Sequence, residues 1–248
     1  MIFLPTGLAP AHHDPRTLAY SAMRAAGEPF APPASYSWDG EHPGAVTTPM
    51  FANDVHGDCV IAARAHQTLR FEAVELGTAP AITDLDVTTE YFMESGGQDS
   101  GLVYLYSLRD WRNKGWIADK RWFGIHSFLS VNYREHDEVR ETMIVGSGLQ
   151  TGVRLPLNAA DQMNAGQPWD VEAGPRSAKG SWGGHAILAV AYDVNGVEFV
   201  TWGKKQRATW RWLDAYCDEC YLVIDDIDRA KTAAPLDALA LEAAISHV

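Results

Sequence analysis

Two side chains stand out as a pair that could do chemistry. Cys59 opens the run Cys-Val-Ile-Ala-Ala-Arg-Ala-His-Gln-Thr-Leu-Arg-Phe-Glu-Ala-Val-Glu-Leu, whose apolar residues recur at helical spacing until Gly77 stops it. A thiol at the first turn of a helix faces unpaired N–H groups, which favour its thiolate. Gly57 permits a tight turn and a close backbone approach just before it, and Asp58 reads as the helix cap. Asn53, six residues upstream of Cys59, carries an amide donor. His185 opens a second apolar run, His-Ala-Ile-Leu-Ala-Val-Ala-Tyr, behind Gly183 and Gly184. An imidazole at the mouth of a strand is able to take a thiol proton. Alone, either residue reads as ordinary packing; together they point to a nucleophile and its base.

The elements that must bring them together are helical first and strand-rich later. Helices are predicted over 59–76, 83–93, 102–113 and 137–145, with strands over 125–131 and 150–155. Residues 185–192 read as a buried strand, Asp193-Val-Asn-Gly as a hairpin turn, and 197–202 as the returning strand. A short helix over 210–216 and a closing strand over 221–224 follow. This order is α+β logic. Residues 1–45 hold Pro5, Pro10, Pro15, Pro29, Pro32, Pro33 and Pro43 and read as an arm with one short helix over 17–26. The arm is open to three readings: an inhibitory pro-segment, a docking strap or a piece of the body. The main domain is placed at 46–230, helical over 55–147 and sheet over 148–230, with an Ala/Leu helix within 231–248.

Three short motifs resemble papain-like cysteine peptidases. Asn53-Asp-Val-His-Gly-Asp-Cys59 is similar to that family's active-site segment, which has a Gln six residues before its Cys and a Gly two before it. Gly184-His185-Ala-Ile-Leu-Ala-Val-Ala-Tyr resembles its histidine strand, and Phe199-Val-Thr-Trp202-Gly203 with Tyr221-Leu-Val-Ile resembles its Asn-Ser-Trp-Gly hairpin and closing strand. The resemblance implies a two-lobed fold, a helical lobe followed by an antiparallel sheet or barrel. It implies Cys59 as nucleophile, His185 as base and then acid, and the Asn53 amide with the Cys59 N–H as oxyanion hole. Trp202 would shield the histidine, with Gly57, Asp58 and Gly184 beside the substrate. Two departures follow. Asn53 is a methylene shorter than the family's Gln, and Val200 aligns with its orienting Asn. Thr201, sixteen residues after His185, is the polar group in reach of that role.

The implied function is hydrolysis of a peptide or isopeptide bond through a thioester on Cys59. The alternatives are a degenerate module with a structural or adaptor role, and a cell-wall amidase or endopeptidase. Gly-Asp-Cys-Val and Thr-Trp-Gly-Lys also resemble a phage and bacterial branch, which implies a virion or prophage setting. The expected partner is a peptide or protein substrate.

Composition narrows the remaining classes. A net charge of -12, with only Lys204, Lys205 and Arg207 clustered, argues against nucleic-acid binding. No apolar run reaches the length of a membrane span, and the first residues do not read as a secretory signal. With three cysteines, a reducing compartment such as the cytoplasm is expected at synthesis. Cys217-Asp-Glu-Cys220 has no second pair to complete a zinc site, and neither metal nor cofactor is expected. His12-His13 reads as a solvated pair and His56 as a loop residue. The aromatic group Trp111, Trp116, Trp122, Tyr104 and Tyr106 reads as core and rim.

Overall fold

The computed structural model describes residues 3–24, 30–225 and 237–245. In chain order the elements are α1 (Tyr20–Met23), β1 (Tyr36–Ser37), α2 (Trp38–Glu41), α3 (Cys59–Leu76), α4 (Asp84–Glu94), α5 (Tyr104–Lys114), β2 (Trp116–Ala118), β3 (Arg121–Phe123), β4 (Ser127–Ser130) and α6 (His136–Val145). Then come β5 (Leu149–Leu155), α7 (Leu157–Asn164), β6 (Gly183–Asp193), β7 (Gly196–Thr201), β8 (Lys204–Thr209), α8 (Trp210–Tyr216), β9 (Cys217–Ile224) and α9 (Ala238–Ile245). The molecule is α+β, a helical part followed by an antiparallel sheet.

The main sheet runs β4-β9-β5-β6-β7-β8, with β1 added to the far end of β6. All its pairings are antiparallel. One apolar cluster is built on α3, α4 and α5, with Ile61, Leu69, Phe71, Tyr91, Leu105 and Trp111 buried in it. The other lies in the sheet part and is rich in large rings, Trp38, Trp169, Trp212 and Phe199 among them. Ala186, Tyr221 and Val223 of the sheet belong to the helical cluster, so the two parts share a packed boundary. A buried polar seam joins them as well. Gln150 of β5 donates to the Ala63 carbonyl at 3.2 Å and to Gln67 Oε1 at 2.6 Å, and accepts from the Tyr104 hydroxyl.

Three local outcomes differ from expectation. The hairpin β2–β3 turns through Asp119 and Lys120, both left-handed at φ 48° and 59°, so no glycine announced it. Helix α7 lacks a side-chain cap and follows Pro156, a start without the usual signal. The short helix expected over 17–26 is a single turn at Tyr20–Met23; residues 25 and 26 lie outside the described set. Residues 226–236 also lie outside it.

Candidate active site

Helix α3 starts at Cys59, and its first turn offers backbone N–H groups to the sulfur. Asp58 takes the N-cap position, but its side chain caps nothing. Instead Asp58 Oδ1 accepts from Asn53 Nδ2 at 2.8 Å, and both side chains are buried. The Asn53 amide is therefore turned to the carboxylate, with a longer 3.4 Å contact to the His56 carbonyl. Gly57 N–H is held by Asp99 Oδ1 at 2.9 Å, and the same carboxylate takes His56 Nδ1 at 3.1 Å on Oδ2.

His185 projects from the start of β6. Its Nε2 lies 2.7 Å from Thr201 Oγ1, and its ring stacks on the Trp202 indole at 3.9 Å between centroids. Trp202 in turn stacks on Trp182 at 5.1 Å. Side chains alternate across a strand, so Thr201 and Val200 face opposite ways. Val200 packs with Leu188 and Val190 in a small apolar group of its own, which leaves Thr201 for the imidazole. The other ring nitrogen, Nδ1, is buried and has no partner. The Ala186 N–H, next in the chain, donates to Cys59 Sγ at 3.4 Å. Thiol and imidazole thus lie on adjoining elements without a hydrogen bond between them.

Residues 4–9 of the N-terminal arm cover this pair. Leu8 N–H donates to the Gly184 carbonyl at 2.9 Å, Ala9 N–H to the Leu102 carbonyl at 2.9 Å, and Leu102 N–H to the Gly7 carbonyl at 2.8 Å. Leu8 and Leu102 form a parallel bridge. Arg154, oriented by Asp218 at 2.8 Å, donates to the carbonyls of Leu8 at 3.0 Å and Ala9 at 2.6 Å. Trp182 Nε1 donates to the Leu4 carbonyl at 3.2 Å. The fit requires glycine on both sides. A Cβ on Gly7 would sit 1.7 Å from the Gly57 carbonyl oxygen, and one on Gly184 would sit 2.1 Å from the Leu8 carbonyl oxygen. The proline-rich sequence of the arm did not choose between its three readings, and Leu8, Arg154 and Leu102 were not singled out there.

The cover sets the electrostatics. Cys59 and His185 are both fully buried. Burial pushes the thiol up to about 12, against the N–H groups of Ala186, Gly7 and Val60 that favour its thiolate. Burial also lowers the imidazole to about 3. Both shifts favour the neutral forms, so the covered pair is thiol and imidazole rather than thiolate and imidazolium. Burial likewise raises Asp58 to about 7, opposed by its bond from Asn53.

The remaining candidates fall outside the cleft chemistry. Cys217 and Cys220 are buried in β9 with their sulfurs 3.5 Å apart. A bulge opposite Gly152 and Val153 breaks the strand's period and puts both on one face. The His12 ring lies tilted against Tyr106, 5.1 Å between centroids. Trp111, Trp116 and Tyr104 are core, while Trp122 is exposed. Carboxylates of Glu72, Glu75 and Asp225 gather within 4.8 Å around the last turns of α3, with Arg121 paired to Glu72 at 2.6 Å. No helix among the described residues is long and apolar enough to cross a membrane.

No protein-family model and no curated protein sequence matches the chain. Solved structures do. Xylellain, a cysteine protease from Xylella fastidiosa, is similar at 16% identity, over 90% of this chain and 97% of that one, with a TM-score of 0.69. Procathepsin B S9 from Trypanosoma congolense is similar at 12% identity, over 89% of this chain and 86% of that one, with a TM-score of 0.62. A Carica candamarcensis cysteine protease solved with E-64 is similar at 12% identity, over 78% of this chain and 99% of that one, with a TM-score of 0.57. The chain therefore has the two-part papain-like fold of these cysteine proteases, with Cys59 at its helix tip and His185 at its strand mouth.

Proposed function

We propose that the protein is a cysteine hydrolase that cleaves a peptide or isopeptide bond by acyl transfer, and that its N-terminal arm keeps it at rest. The observation that carries this is the unpartnered Nδ1 of His185: Thr201 fixes the ring through Nε2, and the next residue's N–H holds the Cys59 sulfur. In the tautomer whose Nε2–H donates to the Thr201 hydroxyl, the neutral ring keeps Nδ1 as the acceptor for the thiol proton. Once the arm withdraws, water relieves the burial that holds both groups neutral. The Cys59 proton passes to Nδ1, and the thiolate attacks the substrate carbonyl. The Cys59 N–H, and the Asn53 amide if it leaves Asp58, stabilise the oxyanion. The imidazolium gives its proton to the departing amine as the C–N bond breaks. Water then attacks the thioester, releasing the acid and restoring the thiol.

The rival reading is a papain-like module without catalysis, in a structural or adaptor role such as a phage particle component. It is favoured by Val200 standing where the resemblance expects the orienting amide, which leaves only a threonine hydroxyl on the imidazole, and by the missing sulfur–imidazole bond. Gly7→Ala separates the two, because its methyl group has no room beside Gly57 and the arm must lift. Intact-mass measurement should show iodoacetamide modifying Cys59 at least ~100-fold faster in Gly7→Ala than in the parent at pH 7.5. Adding His185→Ala should remove most of that gain, and Gly7→Ala alone should cleave a casein substrate. Slow labelling in the folded Gly7→Ala chain, indifferent to His185, decides for the inert module.

A further inference from the structure

Between α4, α5 and the β2–β3 hairpin, apolar side chains stay exposed where local patterning would place polar ones. In the hairpin, alternation turns Trp116, Ala118 and Phe123 inward. The outward pair, Ile117 and Trp122, are cross-strand partners and remain 67% and 60% exposed. Along α4, Leu85, Thr89 and Met93 follow one another at four-residue spacing and so share one face. Leu85 is 74% and Met93 72% exposed. All five side chains line one groove of about 550 Å³, within the size range of ligand pockets. The exposed indole is held in place. Its Nε1 donates to the Lys114 carbonyl at 2.8 Å, and a Cβ on either Gly115 or Gly124 would collide with the ring. A fixed tryptophan loses little freedom when it is covered, and tryptophan is prominent among interface anchors.

An acidic stripe runs beside the apolar one. Asp86, Glu90 and Glu94 recur at the same spacing, each one position after Leu85, Thr89 and Met93, and line the same groove. Glu90 and Glu94 share a single guanidinium, that of Arg64, at 3.1 and 2.6 Å. Burial holds Glu90 above the usual carboxylate range, with Arg64 opposing the rise and Glu94 adding to it. Asp86 is bonded to Thr83, and the ammonium of Lys114 is taken by Asp110 at 2.9 Å. The groove is left with more carboxylates than cations.

We propose that this groove docks a cationic amphipathic segment of a partner protein. Its apolar side chains would cover Trp122, Ile117, Leu85 and Met93, and its lysines or arginines would meet the stripe of Asp86, Glu90 and Glu94. A second copy of the chain is the poorer match, because a molecule of net charge -12 would bring like charge to an acidic wall. None of the lining residues belongs to the arm or to the Cys59–His185 cleft, so the inference stands apart from the hydrolase reading.

The test uses the full-length chain and two fluorescein-labelled helical peptides, one of leucine and lysine, the other with glutamate at every lysine position. Fluorescence anisotropy in about 150 mM salt should give the leucine–lysine peptide a Kd at least about tenfold lower than that of its counterpart. Trp122→Ala with Met93→Ala removes two exposed side chains and leaves the net charge at -12. It should weaken the leucine–lysine peptide about tenfold or more. Equal binding of the two peptides, or binding of neither, overturns the proposal. So does an affinity that the double variant leaves intact, which would mark diffuse attraction to an acidic surface. Sedimentation of the chain alone covers the remaining occupant. A dimer that the double variant makes monomeric would place a second copy in the groove and overturn the proposal as well.

Discussion

At the scale of single residues, burial decides the protonation of the site. Asp58 illustrates it outside the reacting pair. Its carboxyl is raised to about 7 by burial, and one of its oxygens, Oδ2, has no partner. An unfolded aspartate titrates near 4. Between those values the folded state holds more protons than the unfolded one, so this residue's contribution to stability falls as pH rises from about 4 to about 7. Asp58→Asn removes the penalty. It should be nearly neutral at pH 4.5 and stabilise the chain by about 1–3 kcal/mol at pH 8, as read by urea denaturation at the two values. An equal effect at both would show that Asp58 stays ionised in the fold. Thr201 gives the complementary lesson. Its hydroxyl does reach the imidazole, because alternation along β7 turns Val200 away and leaves Thr201 on the histidine's side.

At the scale of elements, the arm is the part that the rest of the sequence does not encode locally. Arg154 clamps two of its carbonyls, and its own geometry is set by Asp218. Arg154→Ala should loosen residues 4–9 while leaving the sheet intact. Hydrogen exchange at the Leu8 and Ala9 amides should rise about tenfold or more, with β6 and β7 unchanged. Protection that persists would place the hold in the glycine-lined backbone contacts alone. The contrast with α3 explains what could be read beforehand. A long run of apolar residues at helical spacing with a glycine stop fixes the helix and hence the position of Cys59. The apolar run after His185 and the Asn-Gly turn fix β6 and β7 in the same way. Those features are periodic, so they are visible in one dimension. Leu8 on Leu102, Glu219 beside Gly152, and the bulge that brings Cys217 to Cys220 depend on distant strands meeting, and no local pattern records them. The β2–β3 hairpin escaped for a narrower reason, since Asp119 and Lys120 adopt a backbone conformation usually left to glycine or asparagine.

At the scale of the whole molecule, the helical cluster and the sheet are fastened by polar groups as well as by apolar contact. Gln150 sits fully buried at that boundary, bonded to Gln67, Ala63 and Tyr104. Gln150→Leu keeps the volume but strands the Tyr104 hydroxyl and the Gln67 carbonyl. It should destabilise the chain by about 2–4 kcal/mol in urea denaturation, more than a single net hydrogen bond contributes. A cost below about 1 kcal/mol would mean that the seam adds little. The strand order carries a further consequence. β9 lies between β4 and β5, although it leaves the ribosome after every other described strand of the sheet. Until residues 217–224 emerge, β4 has no sheet neighbour and β5 keeps one open edge. Synthesis therefore delivers the thiol before the imidazole, and β9 after both. The covering segment, made before all of these, must wait for β6 and β9 before its berth exists.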